Sequence, residues 1–152
     1  MVREYDSISI CLSKGLGAPI GSVLVGSRTF IAQAHRWRKM FGGGMRQAGM
    51  LAAAGLHALD HHVERMVEDH SRATQLATSI NAINGFTVDL STVETNMVYF
   101  TSEIPAPKVM DALASSGIDV LDIGPHSCRI VVHLHVTDDD VSEVIRAFKN
   151  FA

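Results

Sequence analysis

A glycine-rich loop between two short apolar runs is the feature that most constrains how this chain can fold. The loop is SKGLGAPIG, residues 13–21, and the preceding run DSISICLS alternates apolar with small polar residues. That period of two predicts a β-strand ending where the loop begins. The following run, GSVLVG, predicts a second strand, and because it is apolar throughout we expect it to be buried on both faces. Glycine permits the sharp turn that must join the two strands.

Lys14 opens this loop, at the end of a strand that is predicted to be buried. An amine in partly dry surroundings gives up its proton more easily, and an uncharged amine forms a Schiff base with an aldehyde such as pyridoxal phosphate. A lysine that simply projects into solvent is the structural alternative. The loop does not match a dinucleotide-binding motif, because Pro19 and an apolar strand replace the helix which that motif opens.

The next patterns predict helices. Ser27 can cap a helix that runs to about Phe41 and stops at the glycines 42–44. A second helical pattern extends from Met45 towards Asn81, which would span about 50 Å. That length exceeds a compact domain, so we expect a break near residues 64–69 or a helix that bridges two domains.

From Gly85 onward, short strands alternate with helices, which predicts a small two-layer α/β domain. Thr137 and the three following aspartates suit the start of the last helix. We therefore predict two domains, residues 1–66 and 67–152. Strands are predicted at 86–90, 96–101, 120–123 and 129–136, and helices at 107–116 and from 138 onward.

Composition argues against several classes of protein. The 152 residues suffice for a domain core, and a formal charge of −3 gives no general attraction to nucleic acid or anionic membranes. No apolar run approaches the roughly 20 residues of a membrane span, and MVREYD lacks the apolar region of a signal peptide. Cys11 and Cys128 have no CxxC spacing, so we expect buried free thiols and a reducing, cytoplasmic compartment.

Two further segments carry candidate binding residues. HRWRKMFGGGMR combines basic residues with a glycine run that is predicted to open a helix, an arrangement that suits one phosphate group better than a nucleic acid. Arg129 lies in the predicted strand 129–136, on the face opposite Ile130 and Val132, where a guanidinium can hold a carboxylate bidentately. A solvated basic helix face and a structural ion pair are the respective alternatives.

Two histidine pairs have spacings that metal ligands use. His57 and His61 lie one helical turn apart, and His133 and His135 share one face of the predicted strand. Neither pair has a third ligand at a recognisable spacing, so we predict no metal site.

Four motifs, in this order, resemble the low-specificity L-threonine and L-allo-threonine aldolases, which are fold-type-I pyridoxal phosphate enzymes. The motifs are DSISICLSKGLGAPIGSVLVG, HRWRKMFGGGMRQAGMLAAAG, ETNMVYF and CRIVVHLHV. The resemblance implies an α/β fold, the C-terminal part of the aspartate aminotransferase-like transferase fold. Residues 1–66 would be a remnant of the cofactor-binding large domain and residues 67–152 the small C-terminal domain. The N-terminal half of such an enzyme would be missing, so the chain is expected to be a fragment.

The resemblance also implies site residues. Lys14 matches the lysine that bonds pyridoxal 5'-phosphate, and Lys39 and Arg46 match basic residues near the cofactor phosphate that reach across a dimer interface. Arg129 matches the carboxylate-binding arginine, and Asn96 in ETNMVYF matches a residue beside the substrate. The complete enzyme is expected to be a homodimer or homotetramer.

The reaction implied is retro-aldol cleavage of L-threonine or L-allo-threonine to glycine and acetaldehyde. The base that takes the β-hydroxyl proton would lie in the missing half, so this chain is expected to be inactive alone. Glycine hydroxymethyl transfer, aromatic amino acid lyase and desulfurase chemistry would reuse Lys14 and Arg129. A non-catalytic fragment or pseudoenzyme that serves as a dimerisation module is the alternative from another class.

Overall fold

The computed structural model describes residues 4–151, so the first three residues of MVREYD and Ala152 lie outside the described part. The chain divides into two compact units, Met1–Glu64 and Arg65–Ala152. The boundary after Glu64 lies close to the predicted domain boundary, which follows residue 66.

The first unit is a two-stranded sheet with two helices. Strand β1 is Ser7–Cys11 and pairs antiparallel with β2, Ser22–Gly26. Helix α1 spans Arg28–Met40 and helix α2 spans Gly49–His61. Both strands and the first helix form where the sequence predicted them.

Strand β2 is exposed along its whole length, so the prediction that it is buried on both faces is wrong. Val25, for example, retains 49% of its accessible surface. In the described residues β2 pairs only with β1, and a two-stranded sheet lacks the neighbours that bury a central strand. The apolar composition of residues 22–26 thus predicted a strand correctly but predicted its burial incorrectly.

Helix α1 begins and ends as predicted. The Phe30 N–H donates a hydrogen bond to Ser27 Oγ over 3.2 Å, so Ser27 is the N-cap. Gly42 follows the helix with a φ of +81°, a left-handed conformation that glycine adopts without strain. Trp37 and Phe41 stack on the helix surface with ring centroids 5.7 Å apart, and both rings are exposed.

The long helical pattern forms two helices. The second one, α3, spans Met66–Asn81, and the break at residues 62–65 overlaps the predicted break at 64–69. Helix α2 begins at Gly49 and not at Met45, because Gln47 has a φ of +52° that a right-handed helix cannot contain.

The second unit packs helices against one face of a four-stranded antiparallel sheet. Its strands are ordered β3-β4-β6-β5. The remaining elements are β3 Phe86–Thr87, a 3₁₀ turn Leu90–Thr92, β4 Met97–Ser102, α4 Ala106–Ala114, β5 Leu121–Gly124, β6 Ser127–Val131 and α5 Asp138–Phe151. This arrangement confirms the predicted two-layer α/β domain.

The core of the second unit lies between the sheet and its helices. Phe100 on β4 and Phe148 on α5 meet edge to face with ring centroids 5.3 Å apart, and both are buried. The predicted cap of α5 is confirmed, because the Asp140 N–H donates to Thr137 Oγ1 and the Thr137 N–H donates to Asp140 Oδ2. Gly117, with a φ of +73°, follows α4.

Two predicted strands are too long. β6 ends at Val131, because its partner β4 begins at Met97, directly opposite, and only the bonds between Asn96 and Val132 continue the pairing. His133 and His135 therefore lie beyond the strand, which corrects their predicted placement on its face. β3 contains only two residues, because Asp89 starts a 3₁₀ turn by accepting a hydrogen bond from the Ser91 N–H over 3.0 Å.

Candidate active site

Lys14 lies in a tight turn that directly follows β1. The Gly17 N–H donates to the Lys14 carbonyl over 2.8 Å, which closes a turn of four residues. Leu12 anchors the loop on both sides, since its N–H donates to the Gly21 carbonyl and its carbonyl accepts from the Ala18 N–H. Gly17 and Gly21 have φ values of +68° and +116°, so the loop needs glycine at both positions.

The Lys14 side chain is exposed, and the prediction that it lies in partly dry surroundings is wrong for the described chain. The loop turns outward from a two-stranded sheet, and its buried side chains are those of Leu12, Leu16 and Ala18. Within residues 4–151 the Lys14 amine forms no hydrogen bond and no ion pair, so it is accessible, as the alternative of a lysine that projects into solvent also predicts.

Cys11 adds a reactive group to the same strand end. Its Sγ lies 3.4 Å from Ser13 Oγ, and the hydrogen bond from the Ser13 side chain lowers the pKa of the Cys11 thiol. The Ser13 backbone and the nearby charge of Lys14 act in the same direction. Both cysteines are free, but only Cys128 is buried, where burial raises the pKa of its thiol. The prediction of buried thiols is therefore correct for Cys128 and wrong for half-buried Cys11.

Lys39 and Arg46 lie on either side of the glycine run, and both are exposed. The Lys39 side chain crosses the chain at Gly44, where a Cβ atom would lie 2.7 Å from Lys39 Cδ. Glycine is therefore required there if Lys39 is to keep this position. The prediction that the glycine run opens a helix directly is wrong, because residues 45–48 lie between the run and the start of α2.

Arg129 lies on β6, between Tyr99 on β4 and Leu121 on β5. Its side chain is half-buried on the sheet face opposite the helices, as the strand alternation predicted. Arg129 Nε is buried and has no hydrogen-bond partner among the described residues. A buried N–H without a partner costs free energy, so this atom suits an external acceptor such as a carboxylate.

Asn96 lies at the end of the same sheet. Its Nδ2 donates to the Val132 carbonyl over 2.6 Å, and its own carbonyl accepts from the Val132 N–H over 2.8 Å. These two bonds extend the pairing of β4 with β6 by one residue. The side-chain amide is thus used within the fold, and a direct substrate contact by Asn96 stays a prediction.

The predicted site residues fall into two groups. Lys14, Lys39 and Arg46 belong to the first unit, and Asn96 and Arg129 belong to one sheet of the second unit. Sequence reasoning missed the proximity of Cys11 to Ser13, although their spacing on a strand could have indicated it.

The histidine pairs concern the question of a metal site, and the lengths of the helices concern the question of a membrane span. His57 and His61 have ring centroids 4.4 Å apart, and His133 and His135 have centroids 5.7 Å apart. No group of three or more potential ligand side chains that could hold a metal ion occurs in residues 4–151. Over the same range, every helix is too short or too polar to cross a membrane.

Comparison with known proteins agrees with the resemblance drawn from the motifs. The family model for beta-eliminating lyases matches residues 1–103. Low-specificity L-threonine aldolase 1 of Arabidopsis thaliana is 41% identical over 153 residues, an alignment that covers 98% of this chain and 43% of that protein. The chain thus spans less than half the length of this relative.

Solved structures confirm the predicted fold class. A Listeria monocytogenes protein assigned as an L-allo-threonine aldolase superposes with a TM-score of 0.79 at 19% identity, covering 97% of this chain and 45% of that one. Serine palmitoyltransferase of Sphingomonas wittichii superposes with a TM-score of 0.73 at 14% identity, covering 97% and 39%. Motifs, family model and fold agree, and the chain belongs to the beta-eliminating lyase family.

Proposed function

We propose that the whole protein is a pyridoxal-phosphate-dependent lyase that cleaves L-threonine or L-allo-threonine to glycine and acetaldehyde. The sequence identity to low-specificity threonine aldolases across 98% of the chain favours this reaction over the other pyridoxal phosphate chemistries. The 152 residues alone are proposed to be inactive, because they contain no residue to which we assign the removal of the β-hydroxyl proton.

The observation that carries the proposal is the position of Lys14. Its amine is exposed, has no hydrogen-bond or ion-pair partner in the described part of the chain, and projects from a turn fixed by three backbone hydrogen bonds. Exposure alone also fits a lysine that simply projects into solvent, so the choice rests on its place in SKGLGAPIG, where it matches the cofactor-bonding lysine of the family. We assign it the covalent bond to the cofactor.

The charges near the glycine run suit the cofactor phosphate. Lys39 and Arg46 are both exposed cations, and Gly44 leaves room for the Lys39 side chain along the backbone. We assign these two residues to the phosphate, with the contact made across the interface of a homodimer or homotetramer. When bound, pyridoxal phosphate supplies an acceptor for the electrons released as the Cα–Cβ bond breaks.

Arg129 is assigned to the substrate carboxylate. Its Nε has no hydrogen-bond partner among the described residues, and a guanidinium can bind a carboxylate bidentately, which would hold the amino acid in one orientation once the atoms that cover Nε had moved aside. Orientation matters because it would decide which bond at the substrate Cα breaks. Asn96 is proposed to lie beside the substrate, where its bonds to Val132 would hold the adjoining ends of β4 and β6 together.

Two further proposals concern the domains and the cellular location. Residues 1–66 are proposed to belong to the cofactor-binding domain and residues 67–152 to the small domain of the complete enzyme. A cytoplasmic location is proposed, supported by two free cysteines that form no disulfide.

Reductive trapping tests the role of Lys14. The purified chain is incubated with pyridoxal phosphate, reduced with borohydride and digested, and the pyridoxyl adducts are assigned by mass spectrometry. We expect the adduct to be concentrated on the Lys14 peptide and to disappear from it in Lys14→Arg, which keeps the charge. Adducts that are spread evenly over Lys14, Lys39, Lys108 and Lys149 would show that this chain has no cofactor site of its own, and the catalytic role of Lys14 would then belong only to the whole protein.

A further inference from the structure

The turn that carries Lys14 is bonded to a side chain 46 residues further along the chain. His62, at the C-terminal end of α2, places its Nδ1 2.6 Å from the Leu16 carbonyl oxygen. A carbonyl oxygen can only accept a hydrogen bond, so Nδ1 must carry the proton and donate it. His62 is half-buried, and its bond is as short as any side-chain bond of the first unit.

Leu16 occupies a defined position in the turn. The bond from the Gly17 N–H to the Lys14 carbonyl makes Lys14 the first residue of a four-residue turn and Leu16 its third. A donor on the Leu16 carbonyl fixes the orientation of the peptide group that follows the turn's centre. His62 therefore constrains the backbone that sets the direction of the Lys14 side chain.

The rest of the loop is held by its own backbone and by apolar packing. Leu12 and Ala18 are buried, and a Cβ atom at Gly55 of α2 would lie 3.3 Å from Leu12 Cδ1. Packing of this kind places the loop against α2 without fixing the rotation of individual peptide groups. In the described part of the chain, no other side chain from outside the loop hydrogen-bonds to residues 14–21.

We propose that His62 is a positioning residue for Lys14, which holds the turn so that the lysine amine meets its aldehyde in one direction. The inference rests on the proposed function, because it assigns Lys14 to the cofactor. The two nearby histidines do not share this role: His57 and His61 are exposed, and among the described residues neither donates a hydrogen bond to the loop, although the His57 ring contacts that of His62.

Three variants separate the hydrogen bond from the ring. His62→Phe keeps a planar ring and removes the donor. His62→Asn removes the ring but keeps a donor, because its Nδ2 is attached to Cγ as the histidine Nδ1 is. His61→Phe is the matched control, since it makes the same substitution at the adjacent exposed histidine.

The first readout is tryptic cleavage after Lys14, measured relative to cleavage after Lys39 in the same unit. Cleavage follows the population of the open loop, and loss of one net hydrogen bond raises that population about fivefold. We expect a rise of this size in His62→Phe, with His62→Asn and His61→Phe within about twofold of the parent chain. General unfolding would raise both cleavages together and leave their ratio unchanged.

The second readout is the share of the pyridoxyl adduct found on Lys14 after borohydride reduction. It should fall severalfold in His62→Phe and be restored in His62→Asn. An unchanged cleavage ratio and adduct share in His62→Phe, or an equal effect in His61→Phe, would overturn the proposal, as would failure of His62→Asn to restore them. If the unsubstituted chain shows no Lys14 selectivity, it has no cofactor site that His62 could direct and the positioning role fails in this chain, while the cleavage ratio separately shows whether His62 holds the turn and the acetaldehyde assay separately tests the proposed function.

Discussion

Gly21 closes the Lys14 loop, and its replacement by alanine gives a quantitative test of the loop geometry. Gly21 has a φ of +116°, a conformation that residues with a Cβ rarely adopt. No atom lies within 4 Å of the position where a Cβ would be built, so the cost of Gly21→Ala is conformational and not steric. Its carbonyl accepts the Leu12 N–H over 2.9 Å, so the loop cannot relax at this residue without losing that bond.

The expected cost is about 1–3 kcal/mol for a backbone held in a sparsely populated conformation. With a urea dependence of about 1 kcal/mol per molar for a small unit, the midpoint of unfolding should fall by about 1 M or more. Gly49→Ala is the matched control, because Gly49 is the first residue of α2 and also has no atom near its built Cβ. Alanine there should leave stability unchanged or raise it by up to about 1 kcal/mol.

Trp37 makes the assay specific to the first unit, since it is the one tryptophan of the sequence and lies on α1. Its fluorescence is followed through urea unfolding of the parent chain and the two variants. If Gly21→Ala unfolds at the same urea concentration as the parent chain, or if Gly49→Ala loses as much stability, the loop conformation deduced here is incorrect.

Three further predictions concern single residues. Cys11, whose pKa is lowered by its bond to Ser13, should react with iodoacetamide at least several times faster than buried Cys128, and Ser13→Ala should slow it; equal rates in a peptide-mapping time course would contradict this. Arg129→Met should leave the thermal stability of the second unit unchanged or raise it by up to about 1 kcal/mol, because it removes a buried donor without a partner; a large loss would indicate a structural role. The pKa of Asp140 is lowered by hydrogen bonds from the residue that caps α5, so its contribution to stability is present above the usual aspartate range and is lost as pH falls through the lowered value. Asp140→Ala should therefore lower the melting temperature at pH 7, and the difference from the parent chain should shrink as pH falls through the lowered pKa; a loss that is the same at every pH would refute the linkage.

Local signals in the sequence predicted much of the fold. The alternation of Ile8 and Ile10 with serine predicted β1, and the hydroxyls of Ser27 and Thr137 predicted two helix starts, because each signal acts within a few residues. These are interactions whose partners lie side by side in the chain.

The features that sequence reasoning missed depend on distant neighbours. The exposure of β2 depends on how many strands flank it, and the end of β6 depends on where β4 begins. The bond from His62 to the Leu16 carbonyl joins residues 46 positions apart, and no local pattern indicates it. The candidate site was predictable in its residue types, whereas the contacts that hold those residues required the structure.

Release of acetaldehyde from L-threonine would show whether Lys14 belongs to a threonine-cleaving enzyme, as we propose. We would replace the matching segment of Arabidopsis thaliana aldolase 1, to which this chain is 41% identical, with these 152 residues. With pyridoxal phosphate and L-threonine, the chimera should form acetaldehyde and glycine in equal amounts, and its Lys14→Ala variant should form neither. A Lys14→Ala chimera that retains turnover, or a chimera that bonds the cofactor at Lys14 and releases no acetaldehyde, would contradict the account.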